Sequence, residues 1–188
     1  MSSHVVLRSK VLVIGPSTVG KSAVIKSFST DGAQFSPSYS MTLAAEVTVK
    51  AITNEEHNCN VEFFMYDISG SSIYEYEYTD VFRDANQIMV VFDVTRSDTL
   101  KECSQWLDKV AKHAGKSLPG VLVGNKSDLG EFADVSPEDC KNFAVEHGLT
   151  YFEVSAKTNA GIIDPFNELG EKFIAVYENE VDQFINAE

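Results

Sequence analysis

Apolar runs bounded by turn residues alternate along this chain with stretches whose apolar positions recur every three or four residues. KVLVIG (10–15), VEFFMYD (61–67), QIMVVFDV (87–94), GVLVGNKSD (120–128) and TYFEVS (150–155) read as strands, most of them continuous enough in hydrophobicity to be covered on both faces. Between them, helical patterns run from Lys21 to about Ser29, through DTLKECSQWLDKVAKHAG (98–115), and from about Pro137 to His147. Leu100, Cys103, Leu107 and Val110 share one helical face, so Trp106 and its neighbours are expected to pack rather than to touch a cofactor. LAAEVTVKAI (43–52) and VEFFMYD flank the polar TNEEHNCN, the pattern of one antiparallel hairpin. Strands alternating with helices predict an α/β fold with a mainly parallel sheet and helices on both faces. No repeat or linker divides residues 1–188, which are read as one domain.

The last stretch predicts a long helix. Asp164 is placed to cap it, with Pro165 at its first position and apolar residues at Phe166, Leu169, Phe173, Tyr177, Val181 and Phe184. Continued to about Asn186 it is ~33 Å long, whereas strands of five to six residues span only ~17–20 Å. The end is expected to overhang the sheet and carry Val181, Phe184 and Ile185 past it; a helix that folds back or frays is the alternative.

The charge changes the choice of partner. With 15 Lys and Arg against 28 Asp and Glu, the formal net charge is −13, which repels a nucleic-acid polymer or an anionic membrane unless a basic patch offsets it, and none is visible. Residues 162–188 hold seven acids and one lysine, Lys172, a poor electrostatic anchor for lipid. The chain ends in VDQFINAE without a terminal Cys, and Ser2 stands where myristoylation needs Gly, so no direct lipid anchor is expected. No apolar run approaches the ~18 residues of a membrane span, and the start lacks a signal-peptide pattern, which points to the cytosol. Cys59, Cys103 and Cys140 have no C-x-x-C spacing and read as reduced structural thiols; His4, His57, His113 and His147 are scattered surface or loop residues.

Candidate chemistry begins at GPSTVGKS (15–22). The spacing G-x-x-x-x-G-K-S lets backbone N–H groups wrap an anion while Lys21 reaches outer phosphates and the Ser22 hydroxyl faces Mg²⁺. It follows a β-type run and opens a helix, the context such a cradle requires. NKSD (125–128) follows the buried run VLVG, where a carboxylate can accept paired hydrogen bonds from N1–H and the 2-amino group of guanine; adenine offers no such pair. Alone, NKSD is equally a polar turn. SAK (155–157) follows the next strand, and DISG (67–70) ends VEFFMYD, where Asp67 can hold a magnesium-bound water and the Gly70 N–H can sense a γ-phosphate.

These four motifs, in this order and each at a strand end, resemble the Ras-like small GTPases from about Lys10 to Tyr177. The resemblance implies a P-loop small GTPase fold with a six-stranded, mainly parallel sheet, an extended C-terminal helix, and GTP or GDP with Mg²⁺ at the C-terminal strand edge. It carries the phosphate cradle to Ser17, Thr18, Val19, Gly20, Lys21, Ser22 and Ala23, and the magnesium to Ser22, Thr42 and Asp67. Thr42, in SYSMTLAAE, matches the switch threonine, and Phe35 matches an aromatic beside the base, with core packing as its alternative. Asn125, Lys126 and Asp128 take the guanine, with Ser155, Ala156 and Lys157 beside it. Lys21, Thr42 and Gly70 are the catalytic candidates. The residue after D-x-x-G, usually a water-positioning glutamine, is here Ser71, which implies slow hydrolysis unless another group or a partner supplies the function. Tyr74, Tyr76 and Tyr78 alternate with acids in the second switch, as a binding face or as cover for the sheet.

TDGAQFSPSYSMT (30–42), SLPGVLVGNKSDL (117–129) and the apolar pattern of the final helix are similar to the Rab-like GTPases of intraflagellar transport complex B. That similarity implies a heterodimer with the small β-sandwich subunit, number twenty-five, formed through the C-terminal helix and the adjacent surface. Contacts with other complex B subunits and residence in cytoplasm and cilium or flagellum follow from it. A switch whose nucleotide state tunes assembly competes with a structural adaptor stabilised by bound nucleotide; a conventional membrane-trafficking Rab is disfavoured by the missing cysteines.

Overall fold

A computed structural model describes residues 4–33, 42, 45–70 and 79–186. Six strands form its sheet in the order β2-β3-β1-β4-β5-β6. Val5–Ile14 (β1) lies at its centre, parallel to Cys59–Ile68 (β3) on one side and to Gln87–Asp93 (β4) on the other. Ala45–Asn54 (β2) pairs antiparallel with β3, which is the hairpin the sequence predicts. Gly120–Asn125 (β5) and Thr150–Glu153 (β6) continue in parallel beyond β4.

Alternation along the strands divides the core into two layers. Val11, Val13, Phe63, Met65, Met89 and Val91 face Lys21–Ser29 (α1) and Ile163–Ile185 (α5). Leu12, Ile14, Val90, Phe92 and Leu122 face Ser97–Ala114 (α3) and Pro137–Glu146 (α4), with the short Thr79–Phe82 (α2) at the margin. Phe28 of α1 stacks on Phe166 of α5 with centroids 3.7 Å apart, and Phe63 closes on both rings from the sheet. This aromatic trio fixes α1, and with it the loop that precedes α1, to the sheet. Leu100, Cys103, Trp106 and Val110 are buried as their spacing requires, and Leu107 is partly buried against them. All three cysteines are free and buried.

The hairpin strands run two residues further toward their turn than 43–52 and 61–67, and two other boundaries differ from the sequence pattern. β1 begins at Val5 rather than Lys10, because Val5 to Ser9 pair with Cys59 to Phe63 although Val5 and Val6 are exposed. Backbone pairing extends the strand there, helped by the buried Leu7 and the Arg8–Glu62 ion pair, and the exposed and polar residues between them leave no continuous hydrophobic run to record it. At the other end, α5 begins at Ile163 with Ile162 as its N-cap and no side-chain cap, so Asp164 is not the cap and Pro165 is not the first residue. Ile162 is buried, and its burial starts the helix two residues early. Pro165 still falls in the first turn, where its missing N–H breaks no intrahelical bond.

Helix α5 outruns its cover. Pro165, Phe166, Leu169, Gly170 and Ile174 are its buried residues, and from Ala175 to Asn186 every residue is exposed, with Phe184 at 73% and Ile185 at 63%. The expected overhang is present. Midway, the tip of the β2–β3 hairpin clasps the helix: Asn54 Nδ2 donates to Glu171 Oε1 at 2.7 Å, and Asn54 Oδ1 accepts the His57 N–H. His57 Nδ1 lies 2.8 Å from Glu178 Oε1, and its Nε2 lies 3.7 Å from Glu171 Oε2.

The hydrogen bond with Glu178 raises the His57 pKa above its ordinary value, aided by the charges of Glu178, Glu171 and Glu56. A raised folded-state pKa means the clasp contributes fully below the ordinary pKa of 6.5 and is lost as pH rises through the folded value. Substituting His57→Gln is therefore expected to speed amide exchange in residues 171–178 more at pH 6 than at pH 9. Equal changes at the two pH values would show that the imidazolium charge does not hold the helix.

Candidate nucleotide-binding site

The parallel strands deliver their C-terminal ends to one edge, where the four motifs meet. β1 ends at Ile14, and Gly15 leaves the sheet at φ +139°; a Cβ there would lie 2.1 Å from the Val91 carbonyl oxygen. Only glycine admits both that backbone and that approach. Gly20 caps α1 at φ +98°, and a Cβ on it would meet Asn125 Nδ2 at 2.3 Å. The two glycines bracket an exposed Ser17 and Thr18 and a buried Val19, whose side chain belongs to the core, as does the partly buried Ala23.

Lys21 is 7% exposed, and its Nζ donates to the carbonyls of Gly15 (2.9 Å) and Pro16 (2.8 Å). The ammonium thus folds back across the cradle. Burial lowers its pKa to about 8, with the Asp67 carboxylate working against the shift. Anionic phosphate in the loop would supply the counter-charge that this buried cation lacks.

Ser22 and Thr42 converge on Asp67 at the end of β3. The Ser22 hydroxyl donates to Asp67 Oδ2, Thr42 Oγ1 reaches the same oxygen at 3.3 Å, and the two hydroxyls are 3.1 Å apart. Asp67 Oδ1 is buried without a hydrogen-bond partner among the described residues. Burial raises the Asp67 pKa, against the bonds from Ser22 and Thr42 and the Lys21 charge. Two hydroxyls and an orphaned carboxylate oxygen are a hard, oxygen-only set that fits Mg²⁺, which takes one or two carboxylates and completes its shell with water and phosphate. Among the described residues no group of three or more His, Cys, Asp or Glu could hold a metal.

The base end is tied to the phosphate end by Asn125. Its Nδ2 donates to the Val19 carbonyl at 2.9 Å, and its Oδ1 accepts the Ala156 N–H at 3.1 Å. One buried amide therefore joins all three loops. Asp128 Oδ1 accepts from Ser155 Oγ at 2.6 Å and its Oδ2 lies 3.4 Å from Lys157 Nζ, which orients the carboxylate as a preformed acceptor. Lys126, at φ +73°, extends to Asp93 Oδ2 at 2.5 Å. Phe35 and Ser71 lie outside the described residues, as do Tyr74, Tyr76 and Tyr78.

Sequence reasoning missed three residues that support this edge. Asp93, 1% exposed at the end of β4, holds Lys126 and accepts from the Thr95 N–H and hydroxyl. Burial opposes its ionisation, but the bonds from Lys126 and Thr95 outweigh it and lower the pKa. Asn159 Oδ1 accepts from Ser27 Oγ at 2.8 Å, fastening the loop after Ala156 to α1. Arg96 reaches the cradle from the N-terminus of α3. An acid ending an otherwise apolar run, as in VVFDV, was the available signal for Asp93.

Residues 10–175 match the Ras family, and the chain belongs to it: a Rab-like small GTPase that binds guanine nucleotide. It is 34% identical to the intraflagellar transport protein 27 homolog of Homo sapiens over 179 residues, 95% of this chain and 96% of that protein. To intraflagellar transport protein 27 of Chlamydomonas reinhardtii it is 33% identical over 186 residues, 96% of this chain and 91% of that one. Similarity to the Ras-related protein RABA4b of Arabidopsis thaliana is 32% over 160 residues, covering 85% and 70%.

Gly70 bears on how the site closes. A Cβ on it would lie 2.5 Å from the Ser17 nitrogen and 2.7 Å from the Pro16 carbonyl oxygen. Replacing Gly70→Ala must displace the cradle backbone, and its affinity for a fluorescent GDP analogue is expected to fall by about tenfold or more, roughly 1.4 kcal/mol. An unchanged affinity in a titration would mean that the loop adjusts without cost.

Proposed function

We propose that the chain is a guanine-nucleotide switch subunit of the intraflagellar transport machinery, a single small GTPase domain whose α5 overhang meets a partner. The observation that carries the nucleotide part is the Asn125 bridge, because one side chain couples the phosphate loop, the base motif and the Ala156 loop into a unit. Similarity along 95% of the chain to proteins named for intraflagellar transport supports the place of action, with cytoplasm and cilium or flagellum as its compartments. In this reading Lys21 bears on the outer phosphates, Ser22, Thr42 and Asp67 hold Mg²⁺, and Asp128 accepts from guanine. Held by these oxygens, the cation would supply neutralisation of phosphate charge. Phe35, outside the described residues, and Lys157 are assigned to the base in the same reading.

The partner is the β-sandwich subunit, number twenty-five, bound as a heterodimer through α5, with further complex B subunits beyond it. Exposed Tyr177, Val181, Phe184 and Ile185 favour a covered α5. The same exposure favours a second reading, in which the chain is mainly an adaptor and nucleotide a stabilising ligand. Affinity for the β-sandwich subunit is expected to differ between the GDP-loaded and GTP-loaded chain; equal dissociation constants leave the adaptor.

Hydrolysis is slow in this reading because Ser71 is too short to position the attacking water. Single-turnover phosphate release from GTP-loaded, Mg²⁺-containing protein is expected to accelerate about tenfold or more in Ser71→Gln, a lowering of the barrier by roughly 1.4 kcal/mol or more. No acceleration would mean that another group already positions the water.

A further inference from the structure

Thr18 occupies the middle of the phosphate loop at φ +66°, in the left-handed region. A β-branched side chain is a marked outlier there, and such a conformation persists only when surrounding contacts over-determine it. Arg96 provides contacts of that kind. Its Nη2 donates to Thr18 Oγ1 at 3.2 Å and lies 3.4 Å from the Ser17 carbonyl, so one guanidinium nitrogen touches two adjacent exposed residues of the cradle. Behind, its buried Nε makes no hydrogen bond among the described residues but lies 3.4 Å from Oδ2 of Asp93, an ion pair with the carboxylate that also holds Lys126 of the base motif. A planar fork on a buried anchor has fewer arrangements than a lysine ammonium would have at the same place.

We propose that Arg96 is a positioning residue that preorganises the phosphate cradle by holding Thr18 in its left-handed conformation, and thereby sets how long guanine nucleotide is retained. The inference rests on the guanine-nucleotide reading of the site. Its physical basis is preorganisation: a loop already held in its binding shape loses less conformational freedom when phosphate arrives. Because the strut ends on a hydroxyl of the loop, its effect runs through Thr18. Because it begins on Asp93, the phosphate end and the base end share one buried anchor.

The test is a mutant cycle on the full chain, reading release of a fluorescent GDP analogue from Mg²⁺-loaded protein in Arg96→Ala, Arg96→Lys, Thr18→Gly and Arg96→Ala with Thr18→Gly. Arg96→Ala is expected to release GDP about tenfold faster, as loss of a charge-assisted hydrogen bond implies. Arg96→Lys is expected to stay well short of the native rate. In the Thr18→Gly background, Arg96→Ala is expected to add no more than about twofold, since the bond to the Thr18 hydroxyl is already gone and only the longer contact with the Ser17 carbonyl remains to be lost. Equal acceleration in both backgrounds, or full rescue by lysine, would overturn the proposal, because the charge would then act without Thr18. Amide exchange of residues 17–19 in nucleotide-free protein gives a readout independent of nucleotide: faster exchange in Arg96→Ala supports the strut, and unchanged exchange overturns it. A native chain that holds no guanine nucleotide, while Arg96→Ala still loosens these amides, would sink the site reading and leave the strut standing.

Discussion

Burial of the parallel strands on both faces is the constraint from which the site follows. β4, β5 and the C-terminal part of β1, Val11 to Ile14, have no solvent side, so each must be covered by helices above and below, and every covering helix must be reached by a connection at a strand end. For parallel strands those connections leave from the same edge. GPSTVGKS, DISG, NKSD and SAK are then neighbours because they follow β1, β3, β5 and β6. The chain steps from β3 on one side of β1 to β4 on the other, which opens the crevice where such sheets hold ligands.

Within that edge, the chemistry is divided between groups fixed by hydrogen bonds and groups left wanting. Asn125 is fully engaged, with Val19 at one end and Ala156 at the other. Asp128 is oriented by Ser155. By contrast, among the described residues Asp67 Oδ1 is buried without a partner, and Lys21 is a buried cation bonded to carbonyls with a carboxylate at longer range. The unsatisfied groups are the ones that a cation and an anionic phosphate would satisfy, which is the economy expected of a preformed ion site.

The far end of the molecule obeys a different balance. Phe166, Leu169 and Ile174 bury α5 against the sheet, and from Ala175 to Asn186 its residues are exposed. The clasp of Asn54 and His57 on Glu171 and Glu178 fixes its direction where apolar packing has ended. A 23-residue helix so held presents Phe184 and Ile185 at a defined place rather than on a loose tail. Phe28 and Phe166 are the stacked rings that join α1 to α5.

The sequence by itself determined the alternation of strands and helices, the two-layer core, the hairpin, the four motifs at strand ends and the length of the last helix. Each is a local property: side-chain period, a turn residue, or a glycine where no Cβ fits. It misjudged the start of α5, because Ile162 is drawn in by burial that Asp164 and Pro165 do not report. It also missed the beginning of β1, which is held by backbone pairing with β3. Only the tertiary structure decided that Asp93 anchors Lys126, that Arg96 meets Thr18 across 78 positions of chain, and that His57 meets Glu178 across 121. These contacts depend on register and on the packing of one element against another, and a charged or polar side chain carries no periodic trace of the partner it will find.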